Sequence, residues 1–186
     1  MTPPQIIILA GPNGAGKSTL SRLPELMGLP FLNADDIERD QGSGPLVAGK
    51  TLLARLHALT TDRSDFVIET TLAGRWLASH LMALREQGYQ VHIIFVWVRS
   101  DDLSVARVAS RVRSGGHDIP EATIRRRYSR GIHNFWHLYV PLSDTWKVYD
   151  NSDIHHKLVA AKETVSGIIV REPEIWQTIK DQKSNE

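Results

Sequence analysis

Short apolar runs rich in β-branched residues alternate along the chain with longer stretches in which apolar residues recur every three or four positions. The first pattern is typical of buried strands, and the second is typical of amphipathic helices. Their regular alternation predicts an α/β fold with a parallel sheet of about five strands and helices on both faces. The predicted strands are residues 5–10, 30–33, 66–70, 91–98 and 147–150.

Helical periodicity and the turn residues between the strands predict the remaining elements. Residues 157–162 and 167–170 flank a turn-prone break, which favours a C-terminal β-hairpin over another strand–helix unit. The chain length fits one domain over residues 1–186, with the hairpin and a last helix at about 155–182. The predicted helices are residues 17–23, 46–62, 75–87, 103–113, 121–138 and 172–180, with a further helix starting at Asp36.

Composition narrows the classes of protein that need to be considered. The 22 basic and 21 acidic side chains leave a net charge of +1, which gives no indication of a nucleic-acid or membrane partner. The chain has no cysteine, so disulfides, thiol nucleophiles and cysteine zinc sites are excluded, and the cytoplasm is the expected compartment. No apolar run approaches the roughly 18–20 residues of a membrane-spanning helix.

The stretch GPNGAGKST directly follows the first predicted strand and precedes a helix. This context and the spacing G-x-x-x-x-G-K-[ST] predict a phosphate-binding loop, in which backbone N–H groups surround an anion. Lys17 would hold the β- and γ-phosphates of ATP or GTP, and Ser18 would bind Mg²⁺. Many enzyme classes share this loop, so it does not decide the reaction. The predicted nucleotide-binding residues are Gly11, Pro12, Asn13, Gly14, Ala15, Gly16, Lys17, Ser18 and Thr19.

Two carboxylates follow the second predicted strand, at the edge where parallel α/β sheets bind ligands. A kinase needs a carboxylate to accept the proton of the attacking hydroxyl, and Asp35 is the candidate for this general base. Asp36 would then start the next helix. The alternative is that both residues serve only a turn and a helix cap, which aspartate also favours.

The third predicted strand ends in polar residues and leads into a helix at Gly74 and Arg75. These side chains are candidates for binding the phosphoryl acceptor through hydrogen bonds and charge. Glu69 could instead act near Mg²⁺ through a water molecule, or cap the following helix. The predicted acceptor-binding residues are Glu69, Thr70, Thr71 and Arg75.

Residues 99–130 contain eight arginines and no lysine. Guanidinium groups bind phosphate oxygens in a bidentate geometry that lysine cannot reproduce. The stretch SGGHDIP separates two arginine-bearing helices, which predicts a hinged lid at about residues 105–130. Arginines of this lid would contact the triphosphate in the transition state, and Arg107 would help to bind the nucleotide. The alternatives are a solvated pair of basic helices or a face that binds nucleic acid.

Taken together, the stretches GPNGAGKST, NADDI, IETTLAGR, RVASRVRSGGHDIP, IRRRYSR, NF and YDNS resemble the short zeta-toxin-like P-loop kinases. The resemblance spans residues 6–152 and implies a P-loop NTPase fold of the nucleoside-kinase type. It implies transfer of phosphate from ATP or GTP to the 3′-hydroxyl of UDP-N-acetylglucosamine, and an antitoxin as protein partner. It gives Lys17, Asp35 and Glu69 the roles of phosphate-binding lysine, general base and substrate-binding acid. By the same likeness, Arg111 and Arg127 bind the triphosphate.

The sequence therefore predicts an ATP-dependent kinase that phosphorylates a hydroxyl of a small phosphorylated metabolite. The acceptor stays open, with nucleosides, simple sugars and RNA ends as alternatives to a UDP-sugar. A nucleotide-switched regulatory ATPase is the rival outside the kinases. The absence of an Asn-Lys-x-Asp guanine-reading motif argues against a GTPase switch.

Overall fold

The computed structural model of the chain describes residues 2–42 and 44–184, and within these ranges seven strands form one sheet. The strands are β1 (Gln5–Ala10), β2 (Phe31–Asn33), β3 (Phe66–Thr70), β4 (Gln90–Trp97), β5 (Thr145–Asp150), β6 (Lys157–Glu163) and β7 (Gly167–Val170). Their order across the sheet is β2-β3-β1-β4-β5-β6-β7. This is an α/β P-loop NTPase fold with a mostly parallel sheet.

The expected count of about five strands is wrong, because the C-terminal hairpin joins the sheet. Strands β2, β3, β1, β4 and β5 are parallel, as predicted, whereas β6 pairs antiparallel with β5 and β7 pairs antiparallel with β6. Without the hairpin, the outer edge of β5 would expose a row of unpaired N–H and C=O groups. The predicted antiparallel pairing of the hairpin is confirmed.

Strand β1 lies in the middle of the parallel part of the sheet, and every residue of it after Gln5 is buried. Parallel sheets bury both faces beneath helices, which accounts for the continuous apolar run of this strand. Because β3 and β4 flank β1, their carboxyl ends surround the segment that leaves it. The topology thus brings the polar residues that follow β3 next to the predicted phosphate loop.

The helices end where packing and proline allow rather than where periodicity alone predicts. The first ends at Leu20 instead of residue 23 and is followed by a 3₁₀ turn, since Pro24 disfavours helical backbone before it. The helix predicted over residues 121–138 is α-helical to Asn134 and continues as a π-helical turn. The helices are α1 (Lys17–Leu20), α2 (Ala34–Gln41), α3 (Pro45–Thr61), α4 (Trp76–Glu86), α5 (Asp101–Arg113), α6 (Glu121–Asn134) and α7 (Pro173–Asp181).

None of the helices within residues 2–42 and 44–184 combines the length and apolar character that a membrane crossing requires.

Helix α2 begins at Ala34, two residues earlier than predicted. Its cap is Asn33, whose side-chain oxygen accepts a hydrogen bond of 2.9 Å from the backbone N–H of Asp35. The two aspartates therefore lie in the first turn of α2, and neither is its cap.

Candidate functional site

The phosphate loop, residues 11–16, leaves β1 and enters α1 in a conformation that requires glycine. Gly11, Gly14 and Gly16 have φ values of +146°, +75° and +85°, which side chains rarely tolerate. A Cβ atom on Gly11 would lie 2.3 Å from the carbonyl oxygen of Val96, and one on Gly16 would lie 2.3 Å from Nδ2 of Asn151. The loop is therefore packed closely between the ends of β4 and β5.

Lys17 is buried at the end of this loop. Its ammonium donates to the carbonyl oxygens of Gly11 (3.0 Å) and Pro12 (3.2 Å) and lies 3.7 Å from Oε1 of Glu69. Burial lowers the pKa of Lys17, and the carboxylates of Glu69 and Asp35 oppose that shift. Burial also raises the pKa of Glu69, against the effect of Lys17. The two side chains form a dehydrated ion pair at the base of the site.

The strand register explains how residues distant in sequence meet here. Glu69 pairs with Leu9 in β1 on one side and with Asn33 in β2 on the other. The ends of three parallel strands thus present Glu69, Asn33 and the phosphate loop at one edge of the sheet. The topology brings the side chains predicted to bind ligands to one edge of the sheet, while their binding roles stay predictions.

Asp35 and Asp36 have different surroundings. Asp35 is close enough to Lys17 to oppose the lowering of its pKa, whereas Asp36 pairs with Arg39 at 2.8 Å, one turn along α2. The carboxylate of Asp36 is thus paired with Arg39, and both residues line the larger of the two cavities described below. Of the two, Asp35 is the one whose charge acts on Lys17, while its role as a base stays a prediction.

Two cavities meet at this edge of the sheet. One of about 1110 Å³ lies over the phosphate loop and is bordered by Gly14, Gly16, Ser18, Arg107 and Arg111, among others. The other, of about 540 Å³, lies between α3, α4 and the segment after β3. The residues that line both are Lys17, Asn33, Asp35 and Glu69. These four side chains form the boundary between the two cavities.

The smaller cavity has a polar base and an apolar outer wall. Thr70 and Thr71 line its base, and both hydroxyls also accept backbone hydrogen bonds within the segment 70–73. Its wall includes Leu46, Leu53 and Trp76, each of which is partly open to solvent. Arg75, predicted to bind the same ligand, precedes α4 and is not among the described residues that line either cavity.

The three arginines singled out from the sequence have distinct partners. Arg127 donates to Oδ1 of Asn13 in the phosphate loop at 3.4 Å, and Arg111 donates to the carbonyl oxygen of His117 at 3.1 Å. Arg107 donates to the carbonyl oxygens of Asn151 (2.6 Å) and Ser152 (3.1 Å). Arg107 and Arg111 line the larger cavity, and Arg127 lines the smaller one.

The helices of the predicted lid have an apolar cluster of their own. Val108, Ile119 and Ile124 are buried against one another in a group separate from the main core. At the base of the two helices, Arg125 of α6 pairs with Asp101 (2.8 Å) and Asp102 (2.7 Å) in the first turn of α5. These contacts hold α5 and α6 together as a pair. Whether this pair moves as a lid stays a prediction.

Sequence reasoning missed the residues that hold the segment after β3. Leu72 has φ +57°, unusual for a residue with a side chain. The buried amide of Asn134 donates to its carbonyl oxygen at 2.7 Å, and the hydroxyl of Tyr139 donates to that of Gly74 at 2.8 Å. The only sequence signal for these contacts was the NF stretch at residues 134–135, which does not indicate any local structure.

Within the part of the chain that the structure describes, no group of three or more metal-binding side chains occurs.

A family model described as an AAA domain matches residues 6–130, about two thirds of the chain. The chain belongs to this AAA-domain family. The match includes the phosphate loop, the ends of β2 and β3 that line the cavities, all of α5 and most of α6. A relative of this AAA-domain chain, an uncharacterized protein of Haemophilus influenzae, is 28% identical over 127 residues, which are 66% of this chain and 91% of the relative.

Solved structures with the same fold have low sequence identity to this AAA-domain chain. The AvrRxo1-ORF1:-ORF2 complex with ATP matches with a TM-score of 0.75 and 14% identity, over 98% of this chain and 65% of that chain. The chain thus spans 65% of the length of that neighbour. The PezAT toxin–antitoxin system of Streptococcus pneumoniae matches with a TM-score of 0.56 and 15% identity, over 97% and 86% of the two chains. A gluconokinase from Sinorhizobium meliloti matches with a TM-score of 0.50 and 15% identity, over 98% and 92%.

Proposed function

We propose that this protein is a kinase that transfers the γ-phosphoryl group of ATP to a hydroxyl of a small phosphorylated metabolite. The observation that carries the proposal is the boundary shared by the two cavities, formed by Lys17, Asn33, Asp35 and Glu69. A group transfer needs two ligands whose reacting atoms meet at one place. A cavity for each ligand, with these four side chains between the two, provides that arrangement.

The larger cavity would take the nucleotide. Its base is a loop whose three glycines have positive φ, a conformation in which backbone N–H groups can surround a phosphate. The ammonium of Lys17 would exchange the carbonyl oxygens of Gly11 and Pro12 for phosphate oxygens. Ser18, exposed in this cavity, offers a hydroxyl to Mg²⁺, the hard cation that neutralises phosphate charge when bound. A structural neighbour solved with ATP supports this choice, and GTP would fit the same loop.

Asp35 would accept the proton of the acceptor hydroxyl, because it lines both cavities and faces Lys17. Glu69, with Thr70 and Thr71, would bind acceptor hydroxyls on the other side of the boundary. Arg127 and Arg111 would contact the phosphates as the helical pair α5 and α6 closes over the nucleotide. Closure would exclude water and so favour transfer over hydrolysis.

The acceptor that we propose to test first is a UDP-N-acetyl sugar, on the resemblance to zeta toxins. The structural likeness to the PezAT toxin–antitoxin system supports this choice, as well as the expectation of an antitoxin partner. The likeness to a gluconokinase supports the wider class of small hydroxyl acceptors. The apolar wall of the smaller cavity, with Trp76 partly exposed, would suit the ring of a bulky acceptor.

The test is ADP release from ATP and Mg²⁺ in the presence of UDP-N-acetylglucosamine, gluconate, nucleosides and RNA ends. One acceptor class should raise ADP release well above the rate without acceptor, and mass spectrometry should find one added phosphate on it. The Lys17→Ala variant, if folded, should bind ATP weakly and show neither effect. A wild-type protein that binds ATP but releases ADP at one rate with every compound would favour a regulatory ATPase instead.

A further inference from the structure

The turn at the end of β5, residues 150–152, contacts the phosphate loop but lines neither of the two cavities. The side-chain amide of Asn151 donates to the carbonyl oxygen of Ala15 at 2.8 Å, across 136 positions in sequence. The backbone N–H of Asn151 donates a hydrogen bond of 2.9 Å to the carbonyl oxygen of Trp97, at the end of β4. Both the main chain and the side chain of this residue are therefore fixed.

The shape of this turn is set by a buried carboxylate. Asp150 accepts hydrogen bonds from the backbone N–H of Ser152 at 2.9 Å and from its hydroxyl at 2.5 Å. The same hydroxyl accepts from the backbone N–H of Arg99 at 2.9 Å. The turn is thereby attached to the end of β4 as well as to β5, so Asn151 projects from a rigid support.

Arg107 supports the turn from α5. Its guanidinium donates to the carbonyl oxygens of Asn151 and Ser152 at 2.6 and 3.1 Å, a fork that spans consecutive peptide groups. Helix α5 also packs against the loop directly, since a Cβ on Gly14 would lie 2.8 Å from the carbonyl oxygen of Ser104. The outer side of the phosphate loop is thus supported at Ala15 by the turn and at Gly14 by α5.

Holding the Ala15 carbonyl has a consequence for the next N–H group. In a planar trans peptide, the carbonyl oxygen and the following N–H point in opposite directions. The carbonyl of Ala15 points outward to Asn151, so the N–H of Gly16 points to the opposite side, and Gly16 lines the larger cavity. The bond from Asn151 therefore orients a donor that a phosphate group would use.

We infer that Asn151 is a positioning residue of the phosphate loop, which holds the Ala15–Gly16 peptide in its anion-binding orientation, and that Arg107 acts through Asn151. The inference rests on the proposed nucleotide site and deepens it. It gives Arg107 a role in nucleotide binding that needs no contact with the nucleotide.

The decisive variant is Asn151→Asp, which keeps the shape of the side chain but replaces its donor with a carboxylate. At about pH 8 the carboxylate cannot donate to Ala15, and calorimetry should show ATP binding weakened by about tenfold relative to wild type. As the pH is lowered from about 8 towards about 4, the ordinary pKa of an aspartyl carboxyl, the introduced group becomes protonated and regains a donor, so the ratio of the two affinities should move back towards one. Asn151→Leu, which is similar in size and carries neither donor nor charge, should weaken ATP binding at both pH values, so the two variants together separate loss of the donor from repulsion between a carboxylate and the ATP phosphates.

Arg107→Lys should weaken ATP binding at every pH, because one ammonium cannot span both carbonyl groups. Combined with Asn151→Ala, it should add little to the loss from Asn151→Ala alone, since both act on one turn. Arg113→Lys, on the exposed end of the same helix, is the matched control and should bind ATP like wild type. Thermal unfolding of each variant shows that it is folded.

Equal ATP affinity of the wild type and Asn151→Asp at about pH 8 would overturn the inference, and so would a weakened affinity whose ratio does not change with pH. Fully additive losses in the double variant would show that Arg107 does not act through Asn151. If the wild-type protein itself failed to bind ATP, the proposed function would be overturned and this inference with it.

Discussion

At the boundary of the two cavities, single side chains of opposite charge are shielded from solvent. Burial disfavours the charged forms of Lys17 and Glu69, and the opposite charge of each partly offsets this effect on the other. Asp35 adds a second carboxylate near Lys17. Shifted pKa values of this kind are common at functional sites, where charged groups are arranged for a ligand rather than for the fold. The chemistry of the proposed transfer therefore depends on these side chains individually, and substitutions can separate their roles.

Replacing Asp35 by asparagine should reduce turnover by roughly 10²- to 10⁴-fold, the usual contribution of a general base. ATP binding should persist, because the phosphate loop and Lys17 are unchanged. Asp36→Asn is the matched control, since this neighbour lines the larger cavity alone and is paired with Arg39. Turnover measured by ADP release with the identified acceptor tests the pair, and a larger loss in the Asp36 variant would assign the base to the other carboxylate.

Glu69 should make stability depend on pH. Burial raises its pKa above the ordinary value of 4.5, so the folded state favours the protonated form. Its contribution to stability is therefore present below about pH 4.5 and is lost as pH rises through the raised value. In Glu69→Gln this titration is absent, so the melting temperature of wild type minus that of the variant should decrease from about pH 4 to about pH 7.5. A difference that increases over this range would contradict the direction of the shift.

At the scale of elements, helix α6 joins the two halves of the site. Arg127 of α6 reaches Asn13 in the phosphate loop, while Asn134 at its end holds the segment that lines the smaller cavity. Gly131 lies between them, and a Cβ there would be 2.5 Å from the carbonyl oxygen of Thr71. A movement of α6 would therefore displace both the phosphate loop and the segment that lines the smaller cavity.

Arg127→Lys keeps the charge of this helix near the phosphate loop but loses the planar fork of donors. If the arginine acts mainly in the transition state, kcat should fall by about 10- to 100-fold while the KM for ATP changes little. Arg126→Lys changes the adjacent, exposed arginine in the same way and should have no effect on either constant. A KM increase with unchanged kcat would instead assign Arg127 to ground-state binding of the nucleotide.

At the scale of the whole molecule, the tryptophan cluster beneath α7 and the proposed site lie on different parts of the sheet. Helix α7 covers the antiparallel part, where the ring of Trp176 stacks on Trp146 at 5.3 Å and contacts Trp136 at 5.2 Å. The two cavities lie at the ends of β1, β2 and β3, the smaller one beside α3 and α4 and the larger one over the phosphate loop, next to α5. Stability and ligand binding should therefore respond to different tryptophans.

Trp176→Ala should reduce the free energy of unfolding by about 3–5 kcal/mol, because it removes a ring that is only 8% exposed. Trp76→Ala, at a position 39% exposed in the wall of the smaller cavity, should cost less than about 1 kcal/mol. Denaturant titration of both variants tests this contrast. The opposite ranking would mean that the α7 side contributes little to the stability of the fold.

The sequence by itself determined the elements whose signals are local. Apolar runs bounded by turn residues gave the bounds of β1 and β3 correctly, and a motif of nine residues located the phosphate loop. Asp35 and Glu69 could be selected because carboxyl ends of parallel strands lie at one edge of a sheet. In each case, the physical cause acts within a few residues or follows from the strand direction alone.

Only the tertiary structure decided the partners of long and polar side chains. An arginine can reach many acceptors, and nothing near Arg107 in sequence indicates that its partners are the carbonyl oxygens of Asn151 and Ser152. The bond from Asn134 to Leu72 spans 62 positions, and the addition of β6 and β7 to the sheet depends on the free edge of β5. Periodicity shows which face of an element is buried but not what covers it, so these contacts exist only once the chain has folded.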